Sequence, residues 1–188
     1  MIQTIVWQRL DRTALEFLQW TNEPAVVLHG EVVGDINGVL GRVRYRVAVE
    51  EGPFSQVALL QFWSDAGNRQ LHLSRSRQGQ WLVNGIMRPD LATATDVDIG
   101  VTPATNILPL RRFRLEVGES CDLVAVWIQF PALSVNLARQ RYTRIADDRY
   151  WYESVDSGFL AELTVGDDGM VVQYADLWRM LTVTENGQ

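Results

Sequence analysis

The alternation in "GRVRYRVAVE", residues 41–50, limits what this chain can fold into more than any other passage. Arg42, Arg44 and Arg46 fall on one side and Val43, Tyr45, Val47 and Val49 on the other. That is a period of two, which a helix would smear around its circumference. "AVVLHGEVVGDING" before it reads as a strand ending in an Asn37-Gly38 turn, and "QVALLQFW" (56–63) as a more apolar strand. "LHLSRSRQGQWLV" reads as a hairpin turning near Gln78-Gly79. In "RFRLEVGESCDLVAVWIQF" Gly118 sits in a turn between two apolar runs. "RYWYESVDSGFLAELTVGDDGMVVQY" reads as a three-strand meander with turns at Asp156-Ser157-Gly158 and Asp167-Asp168-Gly169. Turn signals every ~8–12 residues mark a mainly β chain: a sandwich, barrel or roll. "YADLWRML" (174–181) reads as a last helical turn or a strand.

The length, 188 residues, fits one domain over 1–188. A chain of this size buries enough surface to fold without staples. The net charge of -6 argues against nucleic acid or an anionic membrane as the main partner. There is no lysine, which excludes a Schiff-base or PLP lysine and a Walker-A lysine. Cys121 is the one cysteine, so no internal disulfide and no CxxC site can form. His29 and His72 are too few for a zinc site without carboxylate help; both read as strand residues, and no metal or other cofactor is expected. The N-terminus lacks the pattern of a signal peptide, and no apolar run approaches the ~20 residues of a membrane span. A cytoplasmic protein without stable membrane insertion is the expectation.

"DVDIGVTPATNILPLRRF", residues 96–113, breaks the alternation. Asp96 and Asp98 sit two apart on a strand-like stretch, so their carboxylates share a face. Thr102 and Pro103 read as the N-cap and first residue of a short helix over 102–108. Its apolar residues, Ala104, Ile107, Leu108 and Leu110, are too few to stand alone and must be packed by the surrounding sheet. Arg111 and Arg112 are expected after this helix, folding back toward the aspartates, with Thr105 and Asn106 as further hydrogen-bonding groups. A buried charge left single costs about 3–5 kcal/mol, so an interior joint needs its acids and bases paired. Three readings stay open here: an Asp–Arg clamp, a polar ligand site built from the same groups, and a D-x-D metal site. The hairpins at Gly79 and Gly169 echo one another weakly. An internal duplication would place 96–113 at the joint between the halves.

The passage resembles the signature D-V-D-L-x-x-T-P-x-T-N-T-L-P-I-R-R-L of a bacterial family described as putative glycolipid-binding. "QGQWLVNG" (78–85), "RYWYES" (149–154), "GFLAELTVGDDGMVVQY" (158–174) and the closing "LWRM" match it too, in family order. The departures are Ile99, Ile107, Leu110 and Phe113, all apolar or near-isosteric. No cysteine stands in the segment ahead of the motif, so no cysteine-dependent role is expected. The resemblance implies a spiral β-roll, a many-stranded antiparallel sheet wrapped around a single short α-helix. It also implies a homodimer and an amphipathic ligand, a glycolipid by the family's description.

Tryptophans bury a large area and also stack on sugar rings. Trp63, Trp81 and Trp151 lie near strand ends or turns and join Asp96, Asp98, Thr105, Asn106, Arg111 and Arg112 as ligand-site candidates. Burying ten methylenes contributes about 8 kcal/mol, and the ligand's lost freedom costs at least about 4 kcal/mol. What remains corresponds to roughly millimolar binding, so a polar head must also be held. The expected function is therefore non-enzymatic binding of an amphipathic molecule. The alternatives are an interaction module without ligand and a glycoside hydrolase using Asp96 and Asp98, whose chemistry needs carboxyls ~5–9.5 Å apart across a cleft.

Overall fold

The computed structural model describes residues 2–49 and 56–186, and the described residues form one continuous 15-stranded sheet. β1 (Ile2–Arg9), β2 (Ala14–Thr21), β3 (Val26–Asp35), β4 (Leu40–Val49), β5 (Gln56–Ser64), β6 (Gly67–Arg75), β7 (Trp81–Val83) and β8 (Ile86–Met87) run as an antiparallel meander. β9 (Asp96–Ile99) pairs parallel with β10 (Ser120–Gln129). A second meander follows: β11 (Ser134–Ala146), β12 (Arg149–Ser154), β13 (Phe159–Val165), β14 (Val171–Tyr174) and β15 (Trp178–Asn186). β1 and β15 pair antiparallel in the middle, fusing the two meanders, so the sheet's two edges are β8 and β9. The passage 174–181 is thus a turn entering β15.

This strand order forces the sheet to roll. Fifteen strands laid flat would span nearly 70 Å at ~4.8 Å each. The short connection between β8 and β9 reaches at most about 30 Å even when extended. The edges must therefore approach each other. Contacts that bridge them include the Trp81 Nε1–H donating to Ala94 O at 3.1 Å and Gln56 Nε2 donating to Thr95 O at 2.8 Å.

One edge coils inside the other. On β10, Val126 and Ile128 pack into a core with Leu18, Leu28, Tyr45 and Leu60 of the first meander. Leu123 and Ala125, on the opposite face of β10, pack with Tyr142, Tyr152 and Leu163 of the second. A strand buried on both faces is the inner turn of a spiral. On β2 only one face is buried: Ala14, Glu16, Leu18 and Trp20 point inward and Leu15, Phe17 and Gln19 are exposed.

Residues 101–110 are all buried. A 3-10 turn, Ala104–Asn106, runs into α1 (Ile107–Phe113). The helix thus lies further along the chain than 102–108, and Arg111 and Arg112 belong to its last turn rather than following it. Pro109 is tolerated because it sits in the first turn of α1, where a backbone N–H lacks an acceptor within the helix. The N-cap position falls on Pro103 rather than Thr102, although the Thr102 Oγ1 still accepts the Ala104 N–H at 2.9 Å. Ile107 and Leu108 enter the first core and Leu110 the second, so the plug joins both.

Candidate functional site

The joint is held by three polar sets, each closed on itself. Asp96 is buried and takes a bidentate grip from Arg112, 2.9 Å from NH1 to Oδ1 and 2.6 Å from NH2 to Oδ2. The Thr95 hydroxyl donates to Asp96 Oδ2 at 2.8 Å. Asp98 faces the same side but meets no arginine. Gln140 Nε2 donates to its Oδ2 at 2.7 Å, and the Thr105 hydroxyl approaches Oδ1 at 3.5 Å. Burial pushes the Asp98 carboxyl up to about 6, against the lowering effect of those two donors. Asn106 accepts from the buried Tyr142 hydroxyl at 2.7 Å and donates to Pro103 O at 2.9 Å. Arg111 makes no ion pair among the described residues; its stem lies against the Gly169 turn. So Arg112 alone, not the arginine pair, folds back to the acids.

A fourth set was not legible in the motif. Glu16 of β2 is fully buried; Tyr45 donates to its Oε1, and so does Thr102 at 2.7 Å. Tyr45 reaches it across Gly30, where a Cβ would overlap the phenol ring. Desolvation pushes Glu16 up to about 8, outweighing both hydrogen bonds, so it is a neutral acid at neutral pH. The available signal was its parity: Glu16 stands between Ala14 and Leu18 in an inward-facing row.

The three tryptophans do not meet one another. Trp81 is buried against the Ala94 carbonyl. Trp63 lies on the outer face with the Arg42 guanidinium 4.3 Å over its ring. Trp151 is on the outer face of the second meander, 38% exposed, in a shallow depression with Asp122 and Arg141. Among the described residues no group of three or more His, Cys, Asp or Glu is placed to hold a metal ion.

A cavity of about 550 Å³ lies instead on the outer face of the first meander. Its lining includes Phe17, His29, Arg46, Leu59, Gln70 and His72. All are outward positions of strands whose alternate residues build the core, and strand pairing sets several of them side by side. Cross-strand pairing sets His29 against Arg46, Arg46 against Leu59, and Leu59 against His72. Both of the chain's histidines are there. Glu31, also in the lining, binds Arg44 at 2.8 Å and approaches Arg42 at 3.8 Å. Arg46 makes no ion pair among the described residues. Burial, and secondarily Arg46, hold the His29 imidazole below its ordinary value. The cavity has the volume of a small-molecule site, with apolar side chains beside convergent polar ones.

A rolled single-sheet β protein with a plugged interior and an outer amphipathic groove is the class these features define. The chain belongs to the family described as "Putative glycolipid-binding", whose model matches residues 4–180. It is similar to the crystal structure of a DUF1089 family protein from Pseudomonas aeruginosa, at 29% identity and a TM-score of 0.78, over 88% of this chain and 91% of that one. A search of the curated proteins found no match. No described helix is long and apolar enough to cross a membrane.

Proposed function

We propose that the protein is a non-catalytic carrier or sensor of an amphipathic small molecule, a glycolipid on the family's description, seated in the outer groove. The observation that carries this is the composition of that groove. Phe17 and Leu59, both over two-fifths exposed, flank polar groups within about 550 Å³. Aromatic and aliphatic surface for a chain or sugar face lies next to the amide and imidazole donors that hydroxyls need. On this reading Asp96, Asp98, Thr105, Asn106 and Arg112 serve the joint. A hydrolase working through Asp96 and Asp98 is not adopted, because both Asp96 oxygens are already held by Arg112 and Thr95.

Isothermal titration with octyl glucoside as a simple glycolipid probe tests the reading. Binding to the native protein, with loss of roughly tenfold or more in Leu59→Glu at unchanged thermal stability, is expected. Equal affinity in that variant overturns it. The homodimer implied by the resemblance belongs to the same proposal. Ile86, 70% exposed, and Met87 stand on the short edge strand β8 beside an unpaired sheet edge, where a second copy would meet the first. Light scattering of Ile86→Asp should then report a monomer.

A further inference from the structure

The groove's charge pattern says more about the ligand, on the premise that the groove is where the ligand sits. Five strands contribute to it, and the ionisable groups they present are few. β3 gives His29 and Glu31, β4 gives Arg44 and Arg46, and β6 gives His72; β2 and β5 present Phe17, Leu59 and Gln61, which carry no charge. Glu31 is engaged with Arg44, both Nε and NH2 of that arginine lying within 2.9 Å of Oε2. That leaves Arg46 as a cation with no carboxylate partner among the described residues, on the surface of a chain whose net charge is -6. Its register neighbour on one side is His29, a neutral donor or acceptor, and on the other Leu59. Phe17 lines the groove on the strand beyond His29. On β2 the register neighbour of His29 is Gln19, and Phe17 stands two residues along, opposite Glu31; Arg46 and His29 thus have Leu59 directly beside them and Phe17 diagonally across.

We propose that the ligand's head is an anion, a phosphate or carboxylate on an amphipathic molecule, held by Arg46 and His29 while its apolar part covers Leu59 and Phe17. A guanidinium offers planar paired donors that match such a head, and a charged hydrogen bond is about twice as strong as a neutral one. This supplies the polar grip that chain burial alone lacks. The head also reverses the electrostatic relation between the two residues. Burial, and secondarily Arg46, now hold the His29 proton off; an anion on Arg46 would favour that proton. Binding and proton uptake at His29 are then linked.

The two histidines make this measurable, since both lie in the groove and no others exist. Their ring resonances can be titrated by NMR in the native protein alone and with octyl phosphate, octyl glucoside or inorganic phosphate. Octyl phosphate is expected to bind at least about tenfold tighter than octyl glucoside and to raise the His29 pKa more than that of His72. Arg46→Gln should abolish that advantage, weakening octyl phosphate at least about tenfold more than octyl glucoside. Equal affinity for the two amphiphiles, or no effect of Arg46→Gln, overturns the anionic head and leaves the groove reading intact. Inorganic phosphate binding as tightly as octyl phosphate overturns the amphiphile and identifies a free anion as the ligand. Failure of both amphiphiles to bind removes the groove reading itself.

Discussion

The joint at 96–113 and the outer face of β3–β6 handle charge in opposite ways. Inside, the pairing is closed: Asp96 has Arg112, Asp98 has Gln140, and Asn106 has Tyr142. Outside, Arg46 stands unpaired beside a neutral histidine and apolar side chains. A buried charge must be matched within the fold because water cannot solvate it. An exposed one is solvated whether or not anything binds, so it is free to serve a ligand. On the proposed reading the most unusual passage of the sequence is architecture, and a plain alternating strand carries the binding surface.

The strongest way to break this comparison is to open the joint. Arg112→Ala removes the guanidinium bound to the buried Asp96, leaving it the Thr95 hydroxyl and the more distant charge of Arg75, and should cost about 3–5 kcal/mol in urea unfolding; a loss below about 1 kcal/mol would show the clamp to be dispensable. Next comes Glu16. The folded chain holds its proton up to about 8, whereas the unfolded chain releases it near 4.5. Folding therefore loses stability as pH rises through that window. Glu16→Gln keeps an oxygen for Tyr45 and Thr102 and cannot ionise. It should be more stable than the native chain by about 4–5 kcal/mol at pH 9 and no different at pH 4, read as thermal midpoints across pH. A gap that does not change with pH would mean Glu16 is not a buried neutral acid.

Gly30→Ala tests the path between the two regions. The new methyl would push the Tyr45 ring away from Glu16, an overpacking penalty of about 1–3 kcal/mol by chemical denaturation. The smallest expected effect sharpens the contrast most. Arg46→Gln should shift stability by less than about 0.5 kcal/mol, as surface substitutions do, while changing ligand selectivity. If Arg46→Gln destabilises as much as Arg112→Ala, the distinction between the two regions fails.

Much of the fold was legible because strand periodicity is local. The parity of Val43, Tyr45 and Val47 against Arg42, Arg44 and Arg46 names the inner and outer faces without any tertiary knowledge. The apolar residues of 102–110, too few to fold alone, announce that something must cover them. The helix lies a few residues further along than the sequence indicates because the passage after Thr102-Pro103 is a 3-10 turn that runs into α1. The partners were less legible. Nothing nearby in sequence distinguishes Arg111 from Arg112, yet on α1 they point about 100° apart, so only one reaches Asp96.

The chain alone therefore determined that this is a β protein, which side chains of each strand face inward, and that its middle must be enclosed. These follow from backbone geometry and from the cost of exposing apolar surface, both of which act over a few residues. Tertiary structure decided the pairing of β1 with β15, the meeting of Glu16 with Thr102 across 86 positions, and the gathering of Phe17, Arg46, Leu59 and His72 into one hollow. Those depend on how far the sheet curls, a property summed over every strand and visible in none of them.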